Sequence, residues 1–92
     1  MKNLQDFRKE IDKIDSDICK LISRRLKITH KVGLYKIKNN LKLEDKKREA
    51  EMMEKFTKKA TALNIDPNLI QKIFRLIITK TKENYKKIKL EK

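Results

Sequence analysis

Apolar residues recur at alternating intervals of three and four over the first 35 residues, and this pattern constrains the fold most. Such spacing is typical of a helix whose apolar seam packs against other helices. Arg25 interrupts the seam where another apolar residue is due. A permanently charged guanidinium in such a seam is destabilising unless an anionic group meets it there. The seam residues are Leu4, Phe7, Ile11, Ile14, Ile18, Leu21, Ile28, Val32 and Tyr35.

This first helix is long for so small a protein. It is predicted to begin near Asn3 and to end near Asn39 and Asn40, two residues that favour turns. At about 1.5 Å per residue it spans roughly 50 Å, whereas a compact globule of this length has a radius of gyration of about 12 Å. We therefore expect half of the helix to protrude and to need a partner, most simply a second copy of the chain.

The remainder of the chain favours an all-α fold of three helices, one long and two shorter, in a single domain of residues 1–92. One glycine and one proline leave few turns. A charged fraction of 42%, together with the 3.5-type periodicity, favours a helical bundle. Helix 2 is predicted over residues 45–63. Asp66 and Pro67 then form a typical N-cap and first helical residue of helix 3, and residues 86–92 are expected to fray.

The net charge of +13 and the single cysteine bear on partners and compartment. Lysines make up 21 of the 26 cationic residues and are spread along the chain, which indicates solvated helix faces rather than nucleic-acid or membrane binding. Cys19 alone cannot form a disulfide framework or a thiolate metal cluster. The N-terminal stretch lacks an apolar leader segment, and no run approaches the length of a membrane span. We expect a cytoplasmic protein.

Further positions break the helical pattern. Gly33 interrupts helix 1 at a cost of about 1 kcal/mol relative to alanine; it is either a tolerated defect or early helix end, or it permits close approach of a helix or ligand. Lys46, Lys47 and Arg48 occupy the first turn of helix 2, where the helix dipole disfavours cations. An anion bound nearby would remove that conflict. Thr81 places a hydroxyl in the apolar stripe of helix 3.

The cations of helix 1 suggest a ligand. Arg25 and Lys36 are eleven residues apart, which puts them on one face and about 16 Å apart along the axis. Two long side chains at that spacing can close on a small polyanion. Arg8 lies roughly 25 Å from Arg25 along the same helix. It is therefore either a surface residue or a contributor to the site across a dimer interface.

Conventional catalytic signatures are absent from the sequence. His30 falls on the outer face of helix 1, and Cys19 has no evident histidine partner and is expected to be half-buried. Glycine-rich phosphate loops, paired-histidine metal spacings and zinc knuckles are missing. An enzyme with this sequence is expected to use no metal, other cofactor or covalent intermediate. Positioning and electrostatics would supply its rate.

Four segments resemble the all-helical chorismate mutases over nearly the whole chain. The specific elements are the helix-1 arginines with the acid-Ile-Asp between them, the later glycine-x-x-lysine, and the Asp-x-x-Arg-Glu at the start of helix 2. Three of the five arginines, Arg8, Arg25 and Arg48, fall on family positions. The matching segments are LQDFRKEIDKIDSDICKLISRR, KVGLYK, EDKKRE and NIDPNLIQKIFRLIITKT.

The resemblance implies an intertwined homodimer with two equivalent sites, which converts chorismate to prephenate in phenylalanine and tyrosine biosynthesis. By that resemblance, Arg25 and the partner subunit's Arg8 hold the two substrate carboxylates. Lys36 contacts a carboxylate and the ether oxygen of the breaking bond. Thr81 matches a position where the family places a small hydroxyl residue near a carboxylate.

The remaining site residues lie at the start of helix 2 and in helix 3. The resemblance implies that Asp45 and Glu49 address the ring hydroxyl, with Arg48 beside them. Tyr85 departs from the family, which usually has an amide or acid there as a second donor to the ether oxygen. Either the Tyr85 phenol donates after a small helix shift, or Asn84 substitutes, or the site is slower.

Three other functions compete with this one. An isochorismate-pyruvate lyase shares the fold, the arginines and the helix-1 lysine, but a carboxylate at Glu49 is a mutase feature. A basic helical nucleic-acid-binding module predicts strongly salt-dependent binding and gives no reason for Arg25 in an apolar seam. A pure dimerisation helix would use Arg25 only to fix register.

Overall fold

The computed structural model describes residues 2–91 as three helices, α1 (Leu4–Lys38), α2 (Lys46–Ala62) and α3 (Pro67–Glu91). The expected all-α fold with one long and two shorter helices is confirmed. The chain measures 58 × 26 × 15 Å along its principal axes and has a radius of gyration of 16.8 Å. A compact globule of the same length has a radius of about 12 Å, so α1 does extend beyond the rest of the chain.

Polar caps set the ends of the helices. Asn3 accepts a hydrogen bond from the backbone N–H of Asp6, and the Asp6 carboxylate accepts one from the N–H of Asn3. Asn40 follows α1 with a φ of 56°, a left-handed conformation that asparagine tolerates. Asp45 and Asp66 accept hydrogen bonds from backbone N–H groups in the first turns of α2 and α3. The sequence therefore predicted the helix starts to within one residue.

Helix α3 packs against both α1 and α2 and contributes three of the five buried residues of the described chain. Its contact with α2 is built on stacked rings of Phe56 and Phe74, whose centroids lie 3.8 Å apart. The amide of Gln71 donates to Oγ1 of Thr57 over 2.8 Å. The core of the described chain is small; its buried residues outside α1 are Ala60, Ile78, Thr81 and Ile88.

Helices α1 and α3 approach closely at Gly33. It is the buried residue of α1. A Cβ atom at this position would lie 2.8 Å from Cδ1 of Tyr85 and 3.1 Å from Cδ1 of Ile88. Of the two interpretations of Gly33, close approach of a neighbouring helix is the one that the structure supports.

The prediction that residues 86–92 fray is wrong for residues 86–91. Helix α3 continues to Glu91, because Ile88 is buried with 4% of its surface exposed and lies close to Gly33. A buried isoleucine stabilises the last turns of a helix that would otherwise end in solvent. Lys92 lies outside the described residues.

The apolar seam of α1 is not the side that packs against α3. Half-buried or buried residues of α1 include Ile22, Leu26, Gly33 and Ile37, whereas all nine seam residues are exposed, with 37–63% of their surface accessible. Cys19 is likewise exposed, and its predicted half-burial is wrong because no other helix of the chain covers this part of α1. The seam remains an apolar surface about 50 Å long.

Candidate active site

A cavity of about 530 Å³ lies where the three helices and the loop before α2 meet. Its size suits a small organic ligand. Helix α1 supplies two cations, the start of α2 supplies both signs of charge, and α3 supplies two hydroxyl-bearing side chains. Seven of the predicted site residues line it: Arg25, Lys36, Asp45, Arg48, Glu49, Thr81 and Tyr85.

The Arg25 guanidinium is the least satisfied group of the cavity. Its Nη2 lies 4.0 Å from Sδ of Met52, a weak acceptor. Its Nη1 is buried and has no hydrogen-bond partner among residues 2–91. A buried guanidinium nitrogen without an acceptor lowers stability unless a ligand supplies one. A ligand carboxylate is a well-matched acceptor for this group.

Lys36 lies on the same wall of the cavity, as the eleven-residue spacing predicts. Its Nζ donates to the backbone carbonyl of Leu43 over 3.2 Å. The same Nζ lies 5.8 Å from the centre of the Tyr85 ring, within the range of a cation–π interaction. An ammonium group has three donors, so Lys36 can contact a ligand while it keeps part of this environment.

Tyr85 presents a protonated phenol to the cavity. Burial of the half-buried side chain raises the pKa of Tyr85 above its usual value, while the positive charge of Arg25 acts in the opposite direction. A tyrosine phenol is already protonated at neutral pH, so it can act as a hydrogen-bond donor there. Asn84 instead lines a separate groove with Cys19 and His30, so the alternative in which Asn84 substitutes in the site is not supported.

The hydroxyl of Thr81 is already used as a donor. Thr81 is buried, with 7% of its surface exposed, and its Oγ1 donates to the carbonyl of Ile77 over 3.0 Å. In this rotamer its lone pairs are available to a donor in the cavity. Donation to a ligand carboxylate requires the hydroxyl hydrogen to turn away from Ile77.

The start of α2 brings three charged side chains to the cavity. The Asp45 carboxylate accepts from the backbone N–H of Arg48 over 2.9 Å, which caps the helix. The carboxylate of Glu49 is engaged differently, because its Oε1 lies 2.6 Å from Nζ of Lys82. Lys82 also reaches Oε1 of Glu44 over 3.3 Å.

Sequence reasoning missed Lys82, which lines the cavity beside Thr81. The hydrogen bond to Glu49 raises the pKa of Lys82, with burial acting in the opposite direction and Glu44 adding to the rise. Nothing in the sequence pairs this lysine with carboxylates more than thirty positions earlier. The sequence around Lys82 does not distinguish it from the other twenty lysines of the chain.

The balance of charge in the cavity is slightly positive. Four cationic and three anionic side chains line it, which gives a net charge of +1. Arg8 is the predicted site residue that the structure does not bring to this cavity. It is exposed on α1, about 25 Å along the helix from Arg25.

Residues 7–86 match the sequence pattern of the family described as chorismate mutase type II. The chain belongs to the chorismate mutase type II family. The matched span includes the eight predicted site residues, from Arg8 to Tyr85. The resemblance to all-helical chorismate mutases is thus confirmed.

Named relatives agree with this family. The chain is 32% identical to a chorismate mutase of Methanocaldococcus jannaschii over 82 residues, 89% of this chain and 83% of that protein. It is 36% identical to a bifunctional chorismate mutase/prephenate dehydratase of Buchnera aphidicola subsp. Schizaphis graminum over 86 residues, 94% of this chain but 22% of that protein. A T-protein of Enterobacter agglomerans is 33% identical over 88 residues, with 24% of that protein covered. The chain therefore spans about a quarter or less of the bifunctional relative and the T-protein.

Two absences hold for residues 2–91. None of the three helices is both long and apolar enough to cross a membrane. In the same residues, no group of three or more His, Cys, Asp and Glu side chains could hold a metal ion. That the protein works without any cofactor stays a prediction.

Proposed function

We propose that the protein rearranges chorismate to prephenate in an active site shared between two copies of the chain. Membership of the chorismate mutase type II family supports the activity. The observation that carries the proposal to this chain is the buried Nη1 of Arg25, which has no hydrogen-bond partner within residues 2–91 and lies in a cavity shared with Lys36. Such a pair of cations suits a small dianion.

The reaction needs no acid, base or nucleophile, because it is a unimolecular pericyclic rearrangement. The enzyme must hold a flexible dianion in its folded conformer and stabilise negative charge that develops on the ether oxygen. Preorganised cations in a pocket of low water content do both. Arg25 holds one carboxylate. Lys36 contacts a carboxylate and the ether oxygen, in place of its contact with Leu43.

Polar side chains on the other walls complete the site. Glu49 and Asp45 address the ring hydroxyl, and Arg48 lies beside them. Thr81 contacts a carboxylate. The Tyr85 phenol donates to the ether oxygen, a role supported by its place in the cavity lining and by the protonated state of a phenol at neutral pH.

A second copy of the chain covers the seam of α1 and completes the cavity. Ile28 and Val32 support this arrangement, because both belong to the exposed seam and both line the cavity. A helix packed along the seam therefore also lies over the cavity. An antiparallel α1 brings the partner subunit's Arg8 to the second carboxylate, which Arg8 of the same chain cannot reach.

The proposed product indicates the pathway. Relatives named chorismate mutase/prephenate dehydratase combine the formation of prephenate with its conversion. We place this protein in phenylalanine and tyrosine biosynthesis, in the cytoplasm.

The proposal is tested by following the loss of chorismate by ultraviolet absorbance. Lys36→Ala removes the cation nearest the reacting oxygen and is expected to lower kcat by about 10²–10³-fold. Lys38→Ala is the matched control, because Lys38 is exposed on the same helix. Wild-type protein that leaves chorismate unchanged, or that equals Lys36→Ala in rate, would refute the proposal. Release of pyruvate from isochorismate, without prephenate from chorismate, would establish the lyase instead.

A further inference from the structure

Lys82 joins two carboxylates at the entrance to α2. Its Nζ lies 2.6 Å from Oε1 of Glu49 and 3.3 Å from Oε1 of Glu44. Glu49 is the more enclosed partner, with 23% of its side chain exposed against 54% for Glu44. All three residues line the cavity. The shorter contact is therefore also the one deeper in the site.

Two lysines, one from α1 and one from α3, contact residues 43–49. Lys36 of α1 binds the carbonyl of Leu43, and Lys82 of α3 binds the side chains of Glu44 and Glu49. In the proposed reaction Lys36 turns to the substrate and gives up Leu43. Lys82 is then the one of these two lysines that still holds residues 43–49.

We propose that Lys82 is a positioning residue that orients the Glu49 carboxylate toward the ring hydroxyl of the substrate. This inference rests on the proposed function. The contact with Lys82 uses Oε1 of Glu49. An ionised carboxylate accepts hydrogen bonds at both oxygens, so Oε2 is left for the hydroxyl.

The charge balance gives Lys82 a second reason to be present. Three carboxylates line the cavity, and they repel a dianionic substrate unless cations offset them. Loss of Lys82 would reduce the net charge of the lining from +1 to zero. If Lys82 acts by positioning Glu49, replacing Lys82 should have little effect once Glu49 is neutralised. If Lys82 acts through its charge alone, the effect should be the same with or without the Glu49 carboxylate.

A double-mutant cycle between Lys82 and Glu49 separates the two effects. Lys82→Met is expected to lower kcat/KM by about tenfold, because Glu49 loses the partner that fixes its rotamer. In the Glu49→Gln background the same change is expected to lower kcat/KM by less than about twofold. An equal loss in both backgrounds overturns the inference, since Lys82 would then act through its charge alone.

Rescue and control variants exclude a structural role. Lys82→Arg is expected to retain kcat/KM within about threefold, because a guanidinium also pairs with carboxylates. Lys87→Met removes the same charge from an exposed position of α3 and is expected to behave as wild type. Thermal unfolding of Lys82→Met should be nearly unchanged, because a partly exposed ion pair at the protein surface contributes little to stability. A fall in Tm that accounts for the lost activity would overturn the inference.

A binding measurement tests Lys82 without turnover. Calorimetry compares two unreactive dicarboxylates of substrate size, one with a ring hydroxyl and one without it. Lys82→Met is expected to raise the Kd of the compound with the ring hydroxyl by a larger factor than the Kd of the compound without it. An equal rise in Kd for both compounds overturns the inference. Wild-type protein that forms no prephenate from chorismate overturns the proposed function instead.

Discussion

At the scale of single residues, position 33 decides how closely two helices approach. Gly33 allows the Tyr85 ring to lie against the backbone of α1. The same ring lies 5.8 Å from the Lys36 ammonium. One missing side chain therefore fixes the distance between α1 and α3 and the surroundings of the proposed catalytic lysine.

Gly33→Ala is expected to destabilise the protein by about 1 kcal/mol. Alanine would gain about 1 kcal/mol of helix propensity, but its Cβ would lie 2.8 Å from the Tyr85 ring. Overpacking of this kind costs about 1–3 kcal/mol. Urea denaturation measures the change. In a Tyr85→Ala background the loss should shrink or reverse, and a Gly33→Ala protein more stable than wild type would contradict the prediction.

Residues that break a local rule or match a family position could be found from the sequence, whereas Lys82, which does neither, could not. Arg25 stands out because a charge occupies an apolar seam, and the structure places it in the cavity. Lys82 is an ordinary lysine on a helix surface. Its partners lie 33 and 38 positions earlier, and only the packing of α3 on α2 brings them together.

At the scale of helices, α1 has two apolar faces, one that packs against α3 and one that is exposed in the described chain. The periodicity of three and four identified the exposed seam. The side buried in the same chain runs instead through Ile22, Leu26 and Gly33. Hydrophobic spacing shows that a face is apolar but not which helix covers it. The bounds of α1 were therefore predictable from the sequence, and its orientation toward α3 was not.

Ile14→Asp is expected to dissociate the proposed dimer. Loss of a buried isoleucine and burial of a carboxylate together cost about 3 kcal/mol or more, so the dimer Kd should rise at least about 100-fold. Analytical ultracentrifugation measures the Kd. Ser16→Asp adds the same charge at an exposed position outside the seam and should leave it unchanged. A monomeric wild-type protein with full activity would contradict the prediction.

At the scale of the whole molecule, the chain has little interior of its own. Few side chains of the described residues are buried, and the long axis of 58 Å is more than twice the next one. The sequence predicted this shape because helix length and chain length are both readable from it. The shape of the cavity could not be predicted from the sequence, since it depends on how three helices and a loop pack.

Two inactive variants are expected to restore activity when they are mixed. Arg8→Ala and Lys36→Ala damage opposite contributions to a shared site, so a mixed dimer keeps one intact site. Random pairing after joint refolding makes half of the dimers mixed, which restores roughly a quarter of wild-type activity. Arg25→Ala mixed with Lys36→Ala is the matched control and should restore no activity. One chain supplies both Arg25 and Lys36 to a given site, so each site of this mixed dimer lacks one of them. Equal recovery in the two mixtures would contradict the shared site.

Helix α1 is one unbroken element of 35 residues, and it carries a proposed site residue near each end. Arg8 and Lys36 lie about 42 Å apart along it. In the proposed dimer each α1 therefore contributes to one site near its N-terminal end and to the other site near its C-terminal end. A tilt that tightens one end displaces the opposite end. We therefore expect occupancy of the first site in the proposed dimer to alter the affinity of the second, because a straight helix transmits such a displacement without a hinge.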